Sequence, residues 1–266
     1  QEKGWTTSIV GKTHWSSHNK KRDIRESEYL IKGLGFDQVI EVPGPRALKI
    51  INCELTDDWE SEGWLSKQRK DLEKRYDNKK FDEAWKSRKS VLPNHLYPDI
   101  WIRKKSEIQI DNLPTTRPWI LWISFVGPHE PFDTPEPWRG STNKEILPKP
   151  IKRRDWIENL KDNCQLKLMA DKWRGKITNE QKEALRCDYA EHLILLDDQV
   201  KLILEKIKKR SDFKKTGIVI TADHGEMLGD GDMLYKSTFI ESAIRVPMIY
   251  RPPKGVTHKK YSNPVN

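Results

Sequence analysis

Residues 216–225 read TGIVITADHG, a short apolar run that ends in an aspartate, a histidine and a glycine. Such a run, rich in β-branched side chains, is typical of a strand buried in an α/β sheet. Open α/β sheets bind their ligands beyond the carboxyl ends of the strands. Asp223 and His224 therefore stand where a functional site is expected, and Gly225 allows a tight turn after them.

Polar motifs follow two further predicted strands. Residues 6–10 form a β-rich run, and Lys12 and His14 come directly after it. Residues 119–126 form a continuous apolar run, which predicts a central strand buried on both faces, and a proline-rich loop with His129 follows. Because strand ends of this kind meet at one edge of a sheet, we expect the three motifs to converge on one site.

The remaining pattern predicts an α/β domain. A helix over 26–32 and a strand over 36–42 continue a βαβ rhythm, and apolar spacings of three and four predict the longest helix over 179–209. Residues 53–98 are dense in charge and contain tryptophans, which indicates an insertion or a lid of surface helices. One domain is the simpler interpretation for a chain of 266 residues.

Composition and charge limit the class of protein. The formal charge of +9 favours an anionic partner, which includes nucleic acid, a membrane surface, and a sulfated or phosphorylated substrate. The 11 tryptophans argue against disorder. No stretch approaches the roughly 18 apolar residues of a membrane span. Three scattered cysteines form neither a disulfide framework nor a CxxC metal pair.

The side chains after the strands suit chemistry on an anion. An aspartate oxygen binds calcium or magnesium, and an imidazole binds softer cations, so Asp223 and His224 predict a metal site of mixed character. The ammonium group of Lys12 can stabilise charge on an anionic group, and His14 and His129 can move protons near neutral pH. Taken alone, an Asp-His pair at a strand end is also typical of a cap or a satisfied polar pair. A single lysine is typical of a solvated surface, and a single histidine of a satisfied polar contact.

Residues 216–247 resemble the C-terminal signature of the sulfatase family, within the alkaline phosphatase superfamily. In that family an apolar strand ends in an Asp and an Asn or His that bind a divalent cation, usually calcium. A lysine about a dozen residues later contacts the substrate sulfate. The resemblance implies that Asp223 and His224 bind the metal and that Lys236 contacts the sulfate.

Two other segments resemble the same family. Residues 4–15 are similar to its Gly-Tyr-x-Thr and Gly-Lys-x-His segment, which implies that Lys12 and His14 contact the sulfate and the nucleophile. Residues 125–132 are similar to a segment whose histidine, here His129, faces the sulfate or the leaving-group oxygen. The resemblance implies that 1–266 is a partial sulfatase catalytic domain. Its expected fold is an alkaline phosphatase-like, mixed and mostly parallel sheet sandwiched by helices.

The chain departs from the family pattern at the nucleophile. The family uses a formylglycine made from the Cys or Ser of Cys/Ser-x-Pro-x-Arg, and no residue before Lys12 has that context. Cys53, Cys164 and Cys187 are not followed by it either. The family's opening Asp-Asp pair is also absent, and Gly231 stands where a histidine is frequent. We expect a fragment of a longer sulfatase, with formylglycine in the missing segment, or else a degenerate relative.

The resemblance implies a sulfuric ester hydrolase that acts on a sulfated carbohydrate or an aryl sulfate, while this chain alone is expected to be inactive. The alternatives are a phosphonate monoester or phosphodiester hydrolase of the same superfamily and a non-catalytic binder of sulfated glycans. A glycan or nucleic-acid binding module that uses the basic surface and the tryptophans is a further alternative. In a glycan-binding protein, Trp59, Trp64 or Trp138 would stack on the carbohydrate. We expect a sulfated small molecule or glycan as partner, no nucleic acid and no membrane span. Localisation and oligomeric state stay open.

Overall fold

The computed structural model describes residues 4–15, 18, 23–76 and 83–255. The strands within these residues are β1 (Thr6–Gly11), β2 (Gln38–Glu41), β3 (Trp119–Ser124), β4 (Ile218–Thr221) and β5 (Met248–Arg251). The α-helices are α1 (Glu28–Gly33), α2 (Pro45–Leu48), α3 (Glu54–Ser61), α4 (Leu65–Arg75), α5 (Pro98–Asn112), α6 (Asp155–Glu158), α7 (Gln165–Trp173), α8 (Asn179–Lys208) and α9 (Glu241–Ile244).

The chain divides into two compact units. The first comprises Gln1–Lys149 with Ile177–Lys206, and the second comprises Pro150–Lys176 with Ile207–Asn266. The first unit contains a parallel sheet in the order β2-β1-β3, and the second contains the antiparallel pair β4-β5. A parallel sheet with connecting helices confirms the predicted α/β class.

Strand β1 forms the centre of the first sheet. All six of its residues are buried, and it pairs with β2 on one side and with β3 on the other. Val10 belongs to the same apolar core as Val42 and Trp59. Because β1, β2 and β3 run in parallel, their carboxyl ends lie at one edge of the sheet. This agrees with the prediction for the polar motifs that follow β1 and β3.

Strand β3 differs from its prediction. Ile120 is 47% exposed and Trp122 is 50% exposed, and within the described residues β3 pairs with β1 alone. The prediction of a central strand buried on both faces is therefore wrong for the described part of the chain. An apolar run reports the hydrophobicity of both faces, whereas coverage of those faces depends on segments that pack there from elsewhere.

The charged segment at 53–98 contributes to the core of the first unit. Trp59 on α3 is fully buried, and its indole N–H donates to the carbonyl of Leu96 over 2.9 Å. The prediction that a carbohydrate stacks on Trp59 is therefore wrong, because the ring of Trp59 packs inside the protein. Helices α3 and α4 anchor the segment, and its movement as a lid stays a prediction.

The longest predicted helix is confirmed as α8, which covers 30 residues. Its buried residues Leu185, Leu195 and Ile203 lie at spacings that place them on one side of a helix. No helix among the described residues has the length and apolar character of a membrane span.

Gly11 at the end of β1 gives a prediction about stability. Its φ is 109°, and a Cβ at this position would lie 1.9 Å from the carbonyl oxygen of Ser124. Gly35 has a similar φ of 104°, but a Cβ at Gly35 would have no heavy atom within 4 Å. We expect Gly11→Ala to lower the free energy of unfolding by more than about 4 kcal/mol. Gly35→Ala should lower the free energy of unfolding by only about 1–3 kcal/mol, because it strains the backbone without a clash.

Chemical denaturation of both variants measures this difference. The comparison isolates the clash with β3, because the two glycines share the left-handed backbone. Equal losses of stability in the two variants would contradict the prediction.

Candidate active site

Lys12 and His14 lie just beyond β1, beside the start of α2. The amide of Lys12 donates to the carbonyl of Ser124 over 3.0 Å, which continues the pairing of β1 with β3. A Cβ on Gly44 would lie 2.9 Å from His14 Nε2 and 3.6 Å from Lys12 Cε. Both side chains therefore lie close to Gly44, and a larger residue at this position would displace His14.

Glu41 at the end of β2 supports the same loop. The hydroxyl of Thr13, between Lys12 and His14, donates to a carboxylate oxygen of Glu41. Burial raises the pKa of Glu41, and the hydrogen bond from Thr13 opposes this effect. Glu41 could not be predicted from the sequence, because an acidic residue at the end of a short strand carries no signal without the register of β1 against β2.

His129 lies in the loop that leaves β3. Ser124, the last residue of β3, is in register with Gly11, so this loop begins beside the one that carries Lys12. The Nδ1 atom of His129 lies 2.7 Å from the carbonyl oxygen of Glu130 and 2.9 Å from a carboxylate oxygen of the same residue. A carbonyl only accepts hydrogen bonds, so Nδ1 carries the proton of the neutral ring and Nε2 carries its lone pair.

Helix α2 connects these two motifs. Pro45 and Leu48 line a cavity of about 30 Å³ together with His129, while the preceding Gly44 meets His14. Three predicted catalytic residues, Lys12, His14 and His129, therefore lie around the beginning of one short helix. The structure brings together the motifs after β1 and β3.

A buried polar cluster lies behind His129. Tyr97 donates its hydroxyl to Asp133 over 3.2 Å, and the guanidinium of Arg75 lies 3.8 Å from the same carboxylate. Burial raises the pKa of Asp133 to about 6, and Arg75 opposes this shift. Burial, with the nearby Asp133 charge, also raises the pKa of Tyr97, so its hydroxyl stays a donor.

The raised pKa of Asp133 gives a prediction about pH. The protonated carboxyl stabilises the folded state below pH 4, and this contribution is lost as the pH rises through about 6. The free energy of unfolding of the wild type, relative to Asp133→Asn, should fall by on the order of 2–3 kcal/mol between pH 4 and pH 7.5. Urea titrations of both proteins at the two pH values measure this change. A stability difference between the wild type and Asp133→Asn that is the same at both pH values would contradict the prediction.

Asp223 and His224 follow β4 in the second unit. The side chain of Asp223 is 80% exposed, and one of its oxygens lies 3.6 Å from His224 Nε2. His224 Nδ1 lies 2.8 Å from the carbonyl oxygen of Gly225, so Nδ1 donates and Nε2 carries the lone pair. A histidine that binds a metal commonly donates its other ring N–H to a backbone carbonyl in this way.

The loop after His224 is fixed by close backbone packing. Gly225 donates to the carbonyl of Ala243 over 2.6 Å, and a Cβ on Gly225 would lie 2.1 Å from the carbonyl oxygen of Ser242. The amide of Met227 donates to the carbonyl of Tyr235 over 2.9 Å. This bond folds the segment with half-buried Lys236 back onto the segment that begins at His224.

Asp230 and Gly231 have structural contacts in the same loop. The carboxylate of Asp230 accepts hydrogen bonds from the amide of Ile151 and the hydroxyl of Ser242, both over 2.8 Å. Gly231 has a φ of 59° and donates to the carbonyl of Ile151. Gly231 therefore turns the loop at the position where the sulfatase family often has a histidine.

The donor atoms of Asp223 and His224 fit two positions on one cation. Two ligands that bind calcium at about 2.4 Å and at right angles lie about 3.4 Å apart. The observed separation between the Asp223 oxygen and His224 Nε2 is 3.6 Å. Within the described ranges, no group of three or more His, Cys, Asp or Glu side chains is arranged to hold a metal. Asp223 and His224 could therefore supply two ligands to a cation, and a complete site would need further ligands.

Cys53 does not have the properties of a nucleophile. It is buried at the beginning of α3, and burial raises its pKa to about 11. The reactive form of a cysteine is the thiolate, which this environment disfavours. The structure thus agrees with the sequence context of Cys53, which lacks the family motif.

The chain shares its fold with solved structures of hydrolases. A phosphonate monoester hydrolase from Silicibacter pomeroyi aligns with a TM-score of 0.65 and 19% identity, over 95% of this chain and 51% of that chain. A protein solved in complex with its substrate D-glucosamine-2-N,6-O-disulfate aligns with a TM-score of 0.57 and 16% identity, over 96% and 55% of the two chains. This likeness confirms an alkaline phosphatase-like fold.

The chain belongs to the sulfatase family, because the family model Sulfatase matches residues 1–266. An arylsulfatase of Clostridium perfringens is 27% identical over 178 residues, which are 66% of this chain and 37% of that protein. A choline-sulfatase of Rhizobium meliloti is 27% identical over 138 residues, which are 52% and 27% of the two chains. The chain spans about a third of the length of these relatives and about half of the solved structures.

Proposed function

We propose that this chain supplies the anion-binding, proton-transferring and part of the metal-binding groups of a sulfuric ester hydrolase. The observation that carries the proposal is the placement of Lys12, His14 and His129 around the beginning of α2, at the carboxyl edge of one parallel sheet. Membership of the sulfatase family supports the same reaction. The proposed substrate is a sulfated carbohydrate or an aryl sulfate.

The lysines provide the positive charge that a sulfate ester requires. The nonbridging oxygens of the ester carry negative charge, and the ammonium group of Lys12, held beside His14, can stabilise charge that develops there during cleavage. Lys236 has the same role in the proposal, because the family signature assigns a sulfate contact to this position. Its segment is held against the metal-binding loop by the bond from Met227 to Tyr235.

The histidines are suited to move protons. The bond from His129 Nδ1 to Glu130 leaves the lone pair on Nε2, which can accept a proton and return it to a leaving oxygen. His14 lies beside Lys12 and is proposed to act on the nucleophile.

Asp223 and His224 are proposed to hold a divalent cation, calcium or magnesium. Their donor atoms have the separation that two neighbouring ligands require, and the bond from His224 to Gly225 orients the ring for coordination through Nε2. When bound, the cation would stabilise negative charge on the sulfate and on the nucleophile. Further ligands and a formylglycine nucleophile are proposed to come from residues other than those of this chain.

Hydrolysis assays test the proposal. Expressed from the complete reading frame that encodes these residues, the protein should hydrolyse an aryl sulfate, whereas the 266 residues alone should show no turnover. Measurable turnover by the 266 residues would contradict the assignment of the nucleophile. Failure of the longer protein to hydrolyse any of a panel of aryl and carbohydrate sulfates would favour a binder of sulfated glycans.

A phosphonate monoester hydrolase is the second candidate. Structures of such enzymes from two organisms align over 95% of this chain with TM-scores of 0.63 and 0.65. The same lysine, histidine and metal groups suit either anionic ester. Matched aryl sulfate and aryl phosphonate substrates distinguish the two, and the proposal expects the higher kcat/KM for the sulfate.

A further inference from the structure

A buried carboxylate fixes the backbone from which the His129 loop begins. Asp99, in the first turn of α5, is 1% exposed. One of its oxygens accepts hydrogen bonds from the amides of Val126 and Gly127, over 2.7 and 3.1 Å. These two residues join the end of β3 to the loop, so their amides set the direction in which the loop leaves the sheet.

The same carboxylate is held from the other side by His192, in the middle of α8. His192 is 2% exposed, and its Nε2 lies 2.8 Å from the second oxygen of Asp99. A carboxylate only accepts hydrogen bonds, so His192 Nε2 is the donor. The ring of His192 also packs against Tyr97, with 5.6 Å between the ring centroids.

Close packing at Gly127 shows that the loop is built around this pair. A Cβ at Gly127 would lie 2.1 Å from His192 Nε2 and 2.7 Å from an Asp99 oxygen. The backbone therefore passes over the pair at a distance that only glycine permits. Asp99, His192 and His129 also line the same small cavity.

We propose that Asp99 and His192 are positioning residues for His129. Through their hydrogen bonds, α5 and α8 hold the amides of Val126 and Gly127, where the loop begins. This contact fixes the position of the His129 imidazole. Neither residue is proposed to touch the substrate. The inference rests on the proposed function for its catalytic consequence, but the positioning of His129 can be measured without any reaction.

The first test observes His129 directly in the 266-residue protein. Ring ¹⁵N–¹H spectra, with the His129 signals assigned by their loss in His129→Gln, report which nitrogen carries the proton. In the wild type the proton should reside on Nδ1. In Asp99→Asn and in His192→Phe we expect the two ring nitrogens to give averaged signals, because the loop no longer holds Nδ1 against Glu130.

Two controls separate positioning from general stability. His192→Gln keeps an N–H donor near the position of Nε2, and it should retain the wild-type His129 signals. Asp37→Asn changes a carboxylate that accepts a hydrogen bond from the amide of Thr7, at the opposite end of β1. It should leave the His129 signals unchanged even if it lowers the melting temperature.

The second test measures catalysis in the protein from the complete reading frame. Displacement of a catalytic group by about 1 Å lowers rates by about 100-fold, so His192→Phe should lower kcat by 10- to 100-fold with little change in KM, and His192→Gln should restore it. Wild-type His129 signals and kcat in His192→Phe would overturn the proposal. If Asp99→Asn does not fold, the two His192 variants decide the question.

The two tests distinguish this inference from the proposed function. If no ester is hydrolysed but the His129 signals change as expected, the proposed reaction is wrong and the positioning pair stands. If hydrolysis is observed but the signals and kcat of His192→Phe match the wild type, the positioning pair is wrong and the reaction stands.

Discussion

A Lys12→Ala variant of the protein from the complete reading frame should lose about 100- to 1,000-fold in kcat on an aryl sulfate, the loss typical when one charge-stabilising group is removed. Lys12 lies beside His14 at Gly44. In the proposed function its charge acts on the sulfate oxygens. Lys12→Arg keeps the charge but changes its geometry, so it should recover part of the activity.

Lys32→Ala is the matched control. Lys32 is exposed on α1, where its ammonium group pairs with Glu28 over 2.7 Å. Removal of this surface pair should leave kcat unchanged and alter stability by less than about 1 kcal/mol. A Lys12→Ala enzyme with kcat within threefold of the wild type would refute the role of Lys12, provided that its melting temperature is also unchanged.

Asp223→Ala should reduce hydrolysis to near the background rate and abolish its dependence on added calcium or magnesium. Residues that only support a metal ligand already account for about 10- to 100-fold in activity or affinity, so loss of a ligand should exceed that range. Treatment of the wild type with EDTA should reproduce the loss, and an excess of the cation should reverse it. The variant should not respond to the same excess.

Asp162→Ala controls for the removal of an exposed aspartate from the same unit. The side chain of Asp162 is exposed and pairs with Lys167 over 2.8 Å. This variant should keep both its activity and its response to EDTA. Activity in the wild type that survives complete chelation would remove the basis for a metal role of Asp223 and His224.

Several elements followed from local patterns. The β-rich run at 6–10 became β1, the apolar run at 216–222 became β4, and the periodic stretch at 179–209 became α8. Strand and helix periodicities depend on neighbours within a few residues, so the sequence carries them directly. The polar motifs after β1, β3 and β4 were predicted at one sheet edge, because parallel strands place their carboxyl ends together. The structure has β1 and β3 in one parallel sheet, whereas within the described residues β4 pairs with β5 in a separate antiparallel sheet, so the prediction of one shared sheet edge holds for β1 and β3 alone.

Other features depend on contacts between distant residues. Asp99 and His192 are 93 positions apart, and nothing in either local sequence marks them as a pair. The half-exposed face of β3 and the burial of Trp59 likewise depend on which segments cover them. Asp133 has a pKa of about 6 because folding removes it from water.

The sequence thus determined the family, the order of the motifs and the residue types of the site. Only the tertiary structure showed how these residues are held. Their positions depend on the register of β1 against β3, on the close approach at Gly44, and on the hydrogen bonds of Asp99 to the backbone before His129. The physical reason is the range of the interactions. Secondary structure follows side chains that are close in sequence, whereas burial, hydrogen-bond geometry and electrostatics follow from residues that only folding brings together.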